Sequence, residues 1–325
     1  MTETTEVVEV APIDVAQFSE IFGRMAANIE RVIVGKRAVV EGCLIGMLSG
    51  GHILLEDVPG VGKTMLAKTI SRTLGANYKR IQFTPDLLPS DLTGTVVFDQ
   101  ANNEFFFREG PVFSHIVLAD EINRASPKTQ SALLECMEEG QVTADLRTHP
   151  LPEPFFVIAT QNPTEYEGVY PLPESQLDRF ALRLSIGYPD AAAERSLMMQ
   201  QRVQHPLETL ESVVDVELVR AMQHTVRAVD VHEAIYDYIL RLASATREHR
   251  SLSLGLSPRG ALALSRAAQA LAASQGRDFV SPDDVKTVAA PAMSHRLIPL
   301  PEARMNGFSP ESLVADLLQT VPVEA

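Results

Sequence analysis

The stretch ILLEDVPGVGKT, residues 53–64, decides the fold of this chain. Its apolar start predicts a buried strand, and the glycine-rich turn behind that strand leads into a helix-like segment that begins with Lys63 and Thr64. Glycines let backbone N–H groups converge on phosphate oxygens, and the positive end of a helix adds to the attraction. We therefore expect a phosphate-binding loop in which Lys63 reaches the β- and γ-phosphates and the Thr64 hydroxyl ligates Mg²⁺. The predicted contacts to the phosphates are Pro59, Gly60, Val61, Gly62, Lys63 and Thr64.

One position departs from the general phosphate-loop pattern G-x-x-x-x-G-K-[ST]. Asp57 stands where that pattern has its first glycine. A carboxylate beside a phosphate would repel it, so we expect the Asp57 side chain to face away from the loop. The alternative is a glycine turn that binds nothing, and the flanking strand and helix argue against it.

A second apolar run, residues 116–119, ends in the adjacent acids Asp120 and Glu121. Successive side chains point to opposite faces within a strand, but both can enter the crevice at the strand's carboxyl end. We expect Asp120 to hold Mg²⁺ through water and Glu121 to polarise an attacking water molecule. The alternative is a pair of acids that only caps the helix that follows.

Further apolar runs occur at 155–160, 78–83 and 182–186, with helix-like segments between several of them. This alternation predicts about five parallel strands in a three-layer α/β domain joined by right-handed crossovers. Strand-like runs nearly disappear after about residue 190, where alanine-rich helical sequence dominates and Ser281-Pro282-Asp283-Asp284 has the composition of a helix start. The predicted organisation is a loose N-terminal arm at 1–13, the α/β domain at 14–189 and an all-α domain at 190–325.

The segment from Thr93 onward interrupts this alternation with two short strand-like runs, 95–98 and 104–107, separated by turn-forming residues. We expect a β-hairpin on which Phe105 and Phe107 share one face and Phe106 occupies the other.

The composition limits the class of protein. Among 325 residues, Asp and Glu number 42 and Lys and Arg 28, which gives a net charge of −14 and argues against a general nucleic-acid-binding protein. Cys43 and Cys136 lie in helix-like sequence and are predicted to be buried, reduced thiols. No segment approaches the roughly 18 apolar residues of a membrane span, and the acidic N-terminus is unlike a secretory signal, so a cytoplasmic protein is expected.

The phosphate loop and the segment DEINRA, residues 120–125, together resemble the AAA+ ATPases and specifically the MoxR family. The stretch LLEDVPGVGKT, with its aspartate, is also similar to that family, and the motifs follow the family's order from about residue 14 to 320. The resemblance implies a P-loop NTPase domain followed by an all-α lid domain, with ATP and Mg²⁺ as its ligands.

The resemblance also implies roles for further residues. Asn162 resembles the family's first sensor, which orients water beside the γ-phosphate, and Arg179 resembles its arginine finger, which reaches the nucleotide of a neighbouring subunit. Arg259 resembles its second sensor, on a lid helix, and Val34 and Gly35 resemble the backbone segment that holds adenine.

Each of these residues has a simpler alternative. Asn162 would cap a turn before Pro163. Arg179 would pair on the surface with the neighbouring acids Asp178 or Glu174, and Arg259 would cover a helix end.

The resemblance implies a homo-oligomeric ring, a hexamer, that converts ATP hydrolysis into lid motion and acts on a protein client, often a protein with a von Willebrand factor A domain. In such rings the predicted hairpin points toward the pore; the alternative is that its aromatics pack onto their own domain. Two other functions stay open: a slow nucleotide-gated scaffold and a metal-chelatase-type motor subunit. A nucleic-acid motor is disfavoured by the acidic charge.

Overall fold

The computed structural model describes residues 11–144, 147–163, 168–200 and 206–323, so most of the predicted N-terminal arm lies outside the described residues. The strands in chain order are β1 (Ile53–Glu56), β2 (Tyr78–Gln82), β3 (Gly94–Asp99), β4 (Glu104–Glu109), β5 (Ile116–Asp120), β6 (Gln141–Ala144), β7 (Arg147–Pro150), β8 (Phe156–Gln161), β9 (Leu182–Leu184), β10 (Leu252–Leu254) and β11 (Ile298–Pro299).

Helices alternate with the strands up to about residue 190 and dominate after it. In chain order they are α1 (Val15–Glu30), α2 (Arg37–Leu48), α3 (Lys63–Thr73), α4 (Pro89–Thr93), α5 (Pro127–Glu139), α6 (Glu174–Leu177), α7 (Ala191–Gln200), α8 (Val216–Ala228), α9 (Glu233–Arg247), α10 (Pro258–Ser274), α11 (Pro282–Met293), α12 (Pro301–Met305) and α13 (Pro310–Thr320). In the described part of the chain no helix is both long and apolar enough to cross a membrane.

The central sheet has five parallel strands in the order β2-β5-β8-β1-β9, which confirms the predicted three-layer α/β architecture. Alternate residues of its strands enter two separate apolar cores. On β5, for example, Ile116 and Leu118 enter the core on the side of α1, α2 and α3, whereas Val117 and Ala119 enter the core on the side of α5. Because all five strands are parallel, the segments that follow them meet at one edge of the sheet.

The helical region beyond residue 190 packs against the first of these cores. Helix α10 contacts α1, α2 and α8, and its alanines Ala267, Ala268 and Ala270 are buried with the apolar residues of α1. Small alanine side chains allow these helices to approach closely. Since one apolar core passes from the sheet into the helices, the domain boundary at 189/190 stays a prediction from the sequence.

Local sequence accounts for where the lid helices begin. Helix α11 starts where the composition predicts it, with Pro282 in its first turn and a capping box between Ser281 and Asp284. Helix α10 starts behind Ser257, whose hydroxyl accepts a hydrogen bond from the Gly260 N–H at 2.9 Å. A short antiparallel pair, β10 with β11, is an addition to the all-α lid that was predicted.

The predicted hairpin is present as the antiparallel pair β3–β4. Phe107 packs edge-on against Phe113, beside the core on the side of α5, whereas Phe105 is 73% exposed and Phe106 is 48% exposed. The aromatic residues therefore divide between packing onto their own domain and facing solvent. A second antiparallel pair, β6 with β7, precedes β8 and was not anticipated from the sequence.

Both cysteines, Cys43 and Cys136, are buried free thiols, as predicted. Burial raises the pKa of the Cys136 thiol to about 12, and it raises that of Cys43 as well, so both are packing residues at neutral pH.

Candidate functional site

The phosphate loop connects β1 to α3 at the carboxyl edge of the sheet. Gly60 and Gly62 have φ angles of +86° and +98°, a region that side-chain-bearing residues rarely adopt. Among the described residues no atom lies within 4 Å of where a Cβ would stand on either glycine, so the space beside them is open. Helix α3 begins at Lys63 directly behind this loop, and its N-terminal N–H groups attract an anion placed there.

The ammonium group of Lys63 is held at the same edge by backbone oxygens. Its Nζ donates to the carbonyl of Asp57 at 2.6 Å and to the carbonyl of Gln161 at 3.3 Å. These carbonyls lie at the ends of β1 and β8, which are neighbours in the sheet. The lysine is thus placed over the strand ends where the loop begins.

Asp57 turns its carboxylate toward the segment behind β9 rather than toward a phosphate. A single oxygen, Oδ2, accepts from the backbone N–H groups of Ile186 and Gly187 and from the Ser185 hydroxyl; the last two distances are 3.0 and 3.1 Å. The residue is 8% exposed. Asp57, which departs from the general loop pattern, therefore links the start of the loop to the segment that follows β9, the outermost strand of the sheet next to β1.

Asp120 ends β5, and its two carboxylate oxygens have different partners. Oδ2 accepts from Arg80, on β2, at 2.6 and 3.0 Å, and Oδ1 accepts from the Thr160 hydroxyl, on β8, at 2.7 Å. Both neighbouring strands thus orient this carboxylate. The geometry keeps Asp120 at the carboxyl edge, beside the strand that leads to Asn162.

Glu121 has the backbone conformation of a strained site. Its φ and ψ angles of 57° and 49° are left-handed, which is uncommon for a residue other than glycine. Its N–H donates to Thr160 Oγ1 at 2.8 Å, and its Oε2 accepts from Gln82 at 2.8 Å and from Arg124 at 3.0 Å. The turn places Glu121 directly behind the carboxyl end of β5, with its carboxylate held by Gln82 and Arg124.

Asn162 follows β8 directly and is 4% exposed. Thr64 is the second residue of α3. The structure therefore gathers the predicted loop residues together with Asp120, Glu121 and Asn162 at the carboxyl ends of three adjacent strands, β1, β5 and β8.

A pocket of about 440 Å³ opens beside the phosphate loop. Val34 lines it, and Gly35 next to it has a φ of +73°, which turns the chain there. The other lining side chains are mainly apolar and include Val32, Ile33, Val61, Met65, Ile186, Tyr188, Pro189 and Leu197. Such a lining suits a flat heteroaromatic base next to its phosphates.

Arg179 and Arg259 lie near the amino ends of the parallel strands, whereas the phosphate loop lies at their carboxyl ends. The segment of Arg179 precedes β9, and the Ala181 N–H donates to the carbonyl of His52, the residue just before β1, at 2.7 Å. The phosphate loop starts at the other end of β1, on the order of 13 Å along a strand of this length. These arginines therefore do not join the loop residues in this chain.

Both arginines pair with the same carboxylate. Arg179 Nη2 lies 3.0 Å from Glu138 Oε2, and Arg259 Nη1 lies 3.0 Å from Glu138 Oε1. The neighbouring acid Asp178, which the sequence suggested as a partner of Arg179, instead accepts hydrogen bonds from Arg296 and Ser257. Helix α5 carries Glu138 back from the carboxyl edge, about 17 Å along its axis from Pro127.

Sequence reasoning missed several residues of the site. Arg80, Thr160 and Glu138 reach their partners from strands or helices that are distant in sequence, and no local pattern marks them. Arg296 is the clearest such case, because a basic residue at the end of a helix usually lies on the surface and this side chain is 2% exposed.

Two family models match the chain. The ATPase family associated with various cellular activities (AAA) matches residues 52–182, and an AAA lid domain matches residues 244–317. Together with the parallel sheet, the glycine loop and the acids behind β5, these matches define the class: the protein is an AAA+ ATPase, which hydrolyses ATP.

Relatives narrow the class to a family. The chain is 44% identical over 307 residues to Chaperone MoxR1 of Mycobacterium tuberculosis, which covers 92% of this chain and 81% of that protein. It therefore belongs to the MoxR family. It is also 50% identical over 303 residues to the protein YeaC of Bacillus subtilis, with 93% of this chain and 95% of that protein covered. A crystal structure of a protein from Cytophaga hutchinsonii, assigned as an ATPase, superposes with a TM-score of 0.89 at 39% identity, covering 96% of this chain and 97% of that one.

The residues present fit a nucleotide with its magnesium ion. Backbone N–H groups and Lys63 suit phosphate oxygens, and the lined pocket suits the base. The Thr64 hydroxyl and the Asp120 carboxylate are hard oxygen donors, the kind that Mg²⁺ prefers.

Proposed function

We propose that this protein is one subunit of an ATP-driven ring that remodels a protein client. The observation that carries the proposal is the division of the candidate residues between two edges of the sheet. Lys63 and Glu121 lie at the carboxyl edge, whereas Arg179 and Arg259 lie at the other edge on Glu138. A nucleotide then receives both sets only when two subunits meet, so the split supports a ring in which each site is completed by a neighbour.

Within one subunit, the chain's own residues bind and orient the reactants. Lys63 neutralises charge on the β- and γ-phosphates. Glu121 orients and polarises the attacking water, and Asn162 holds that water beside the γ-phosphate. Val34 and Gly35 contact the base in the pocket beside the loop.

Thr64 and Asp120 are the residues that we assign to Mg²⁺. When bound, the ion neutralises charge that develops on the phosphate oxygens. Thr160 and Arg80 orient the Asp120 carboxylate, which supports an indirect contact through water rather than a direct bond.

The other subunit supplies the trans residues. Arg179 acts as the arginine finger, which stabilises negative charge on the γ-phosphate of the neighbour's ATP. Arg259, on the first turn of α10, acts beside it. Because α10 belongs to the lid, hydrolysis at one interface shifts the lid at 190–325 relative to the domain at 14–189 and passes that motion around the ring.

The client and the assembly are further parts of this proposal. The relative named Chaperone MoxR1 supports a chaperone activity. The MoxR resemblance supports a hexamer, a cytoplasmic location and a client with a von Willebrand factor A domain. On the hairpin β3–β4, the exposed rings of Phe98, Phe105 and Phe106 are suited to contact such a client at the ring's pore.

A mixing experiment tests the ring. Arg179→Ala retains an intact phosphate loop, and Lys63→Ala retains an intact finger, so each variant alone is inactive for a different reason. A cation supplied in trans accounts for roughly 10³–10⁵ of the rate in enzymes that use one. When the two inactive variants are mixed, some interfaces pair an intact loop with an intact finger, and part of the phosphate release returns.

Three outcomes contradict the proposal. The first is an Arg179→Ala variant with wild-type turnover. The second is a set of mixtures that stay as inactive as their components, and the third is a wild-type specific activity that does not change on dilution far below any assembly concentration. Single-turnover and steady-state phosphate release also separate a motor from a slow nucleotide-gated scaffold, which would release phosphate once and then stall.

A further inference from the structure

Glu138 lies near the end of α5 and contacts two arginines that come from different parts of the chain. Its Oε2 is 3.0 Å from Arg179, which precedes β9, and its Oε1 is 3.0 Å from Arg259, in the first turn of α10. One carboxylate thus holds two guanidinium groups side by side. The side chains are partly exposed, at 38% for Glu138, 27% for Arg179 and 42% for Arg259, so all three lie at the protein surface.

The backbones that carry the two arginines are joined independently of Glu138. The carboxylate of Asp178, next to Arg179, accepts from the Ser257 hydroxyl at 2.8 Å, and Ser257 caps α10 two residues before Arg259. The same carboxylate accepts from Arg296 Nε at 2.7 Å, and Arg296 donates further to the Phe180 carbonyl at 2.6 Å. The origins of both arginine side chains are therefore fixed relative to each other.

Because the two backbone segments are fixed, only the positions of the two guanidinium groups can vary. Two guanidinium groups repel each other, and each side chain has many rotamers. A carboxylate between them removes the repulsion and selects the rotamers that bring the tips together. Because ion pairs with this exposure are weak in water, a phosphate group with more negative charge displaces Glu138 without a large cost.

We infer that Glu138 is a positioning residue that presents Arg179 and Arg259 as one unit to the nucleotide of a neighbouring subunit. This inference rests on the proposed ring function and adds to it a residue that touches neither the nucleotide nor the attacking water. Without Glu138 the two arginines still exist, but they reach the γ-phosphate less often together. The loss appears in the turnover number and not in the binding of ATP.

Steady-state phosphate release by Glu138→Gln tests the inference. We expect kcat to fall roughly tenfold, since small misplacements of a charged group are costly to the transition state. The KM for ATP and the binding of a fluorescent ATP analogue stay at wild-type values, because the loop lies at the other edge of the sheet. Glu138→Asp, which keeps the charge, restores part of kcat. The matched control Glu139→Gln removes the same charge from the next residue of the same helix end and retains wild-type kcat.

A double-mutant comparison separates positioning from a structural role. In an Arg259→Ala background, Glu138→Gln changes kcat by less than twofold, because there is no pair left to hold. An equal tenfold fall in both backgrounds, or a Glu138→Gln variant with a lower melting temperature and no assembly, overturns the inference. Wild-type or raised kcat in Glu138→Gln overturns it as well.

The two proposals fail in different ways. If Arg179→Ala keeps wild-type turnover, the ring function fails, and the inference fails with it. If Arg179→Ala is inactive and mixtures with Lys63→Ala regain activity while Glu138→Gln is unaffected, the ring function stands and only the role of Glu138 is wrong.

Discussion

Replacing Asp57 with glycine would give the chain the first glycine of the general phosphate loop, yet we expect it to destabilise the protein. The Asp57 carboxylate is almost fully buried and joins the start of the loop to the segment behind β9. Its Oδ2 accepts from two backbone N–H groups and one hydroxyl, of Ile186, Gly187 and Ser185. Glycine removes all three acceptor contacts at once.

The size of the effect follows from these contacts. Hydrogen bonds to a charged group contribute about 1.5–3 kcal/mol each, and they do not add fully when one oxygen accepts them all. The buried Ile186 N–H loses its acceptor, and glycine increases the freedom of the unfolded chain by about 0.5–1 kcal/mol. We expect a loss of about 4 kcal/mol in the free energy of unfolding. For a chain of this length, with an unfolding entropy of about 0.7 kcal/mol/K, the melting temperature falls by about 6 °C.

Asp57→Asn is the matched control. Its amide oxygen can accept from the same three donors, so it loses only the charge, and about half of the loss is expected, near 3 °C. Melting is followed by circular dichroism at one scan rate without nucleotide, so that ligand binding does not contribute. A shift below about 1 °C for Asp57→Gly refutes the reasoning, and so does an Asn variant that melts as early as the Gly variant.

Two further predictions concern the site and the core. Glu121→Gln should bind ATP with wild-type affinity, because the amide has the same size as the carboxylate and its oxygen still accepts from Gln82 and Arg124, although more weakly. It should show no turnover, because an amide cannot polarise the attacking water as a carboxylate does. Turnover near the wild-type rate would place the base elsewhere. Burial lowers the pKa of His52 to about 4, so between about pH 6.5 and 4 the unfolded chain binds more protons at this residue than the folded protein does. The contribution of neutral His52 to the free energy of unfolding is therefore fully present above pH 6.5. It falls as the pH drops through this window, by up to about 1.4 kcal/mol per pH unit. Denaturant unfolding of His52→Gln between pH 7 and pH 4 should show a correspondingly flatter profile, and an unchanged slope contradicts this assignment.

The sequence by itself was sufficient for the class of fold and for the residues at one edge of the sheet. Continuous apolar runs such as 116–119 are typical of strands buried on both faces, and they predicted the parallel sheet. Gly62, Lys63 and Asp120 follow such runs directly, and the carboxyl ends of parallel strands meet at one edge. The proximity of these three residues therefore follows from short stretches of chain, whose hydrophobic pattern and composition are visible in the local sequence.

Only the tertiary structure decided what happens between segments that are far apart in sequence. Nothing near Asp57 indicates that its partners are residues 185–187, and nothing near Arg179 indicates that it shares Glu138 with Arg259. Such contacts depend on which side chains the packing of helices and sheet brings within about 3 Å, and local propensity carries no information about that choice. The sequence therefore determined which residues could bind a phosphate, and the packing decided that Arg179 and Arg259 lie apart from the phosphate loop, together on Glu138.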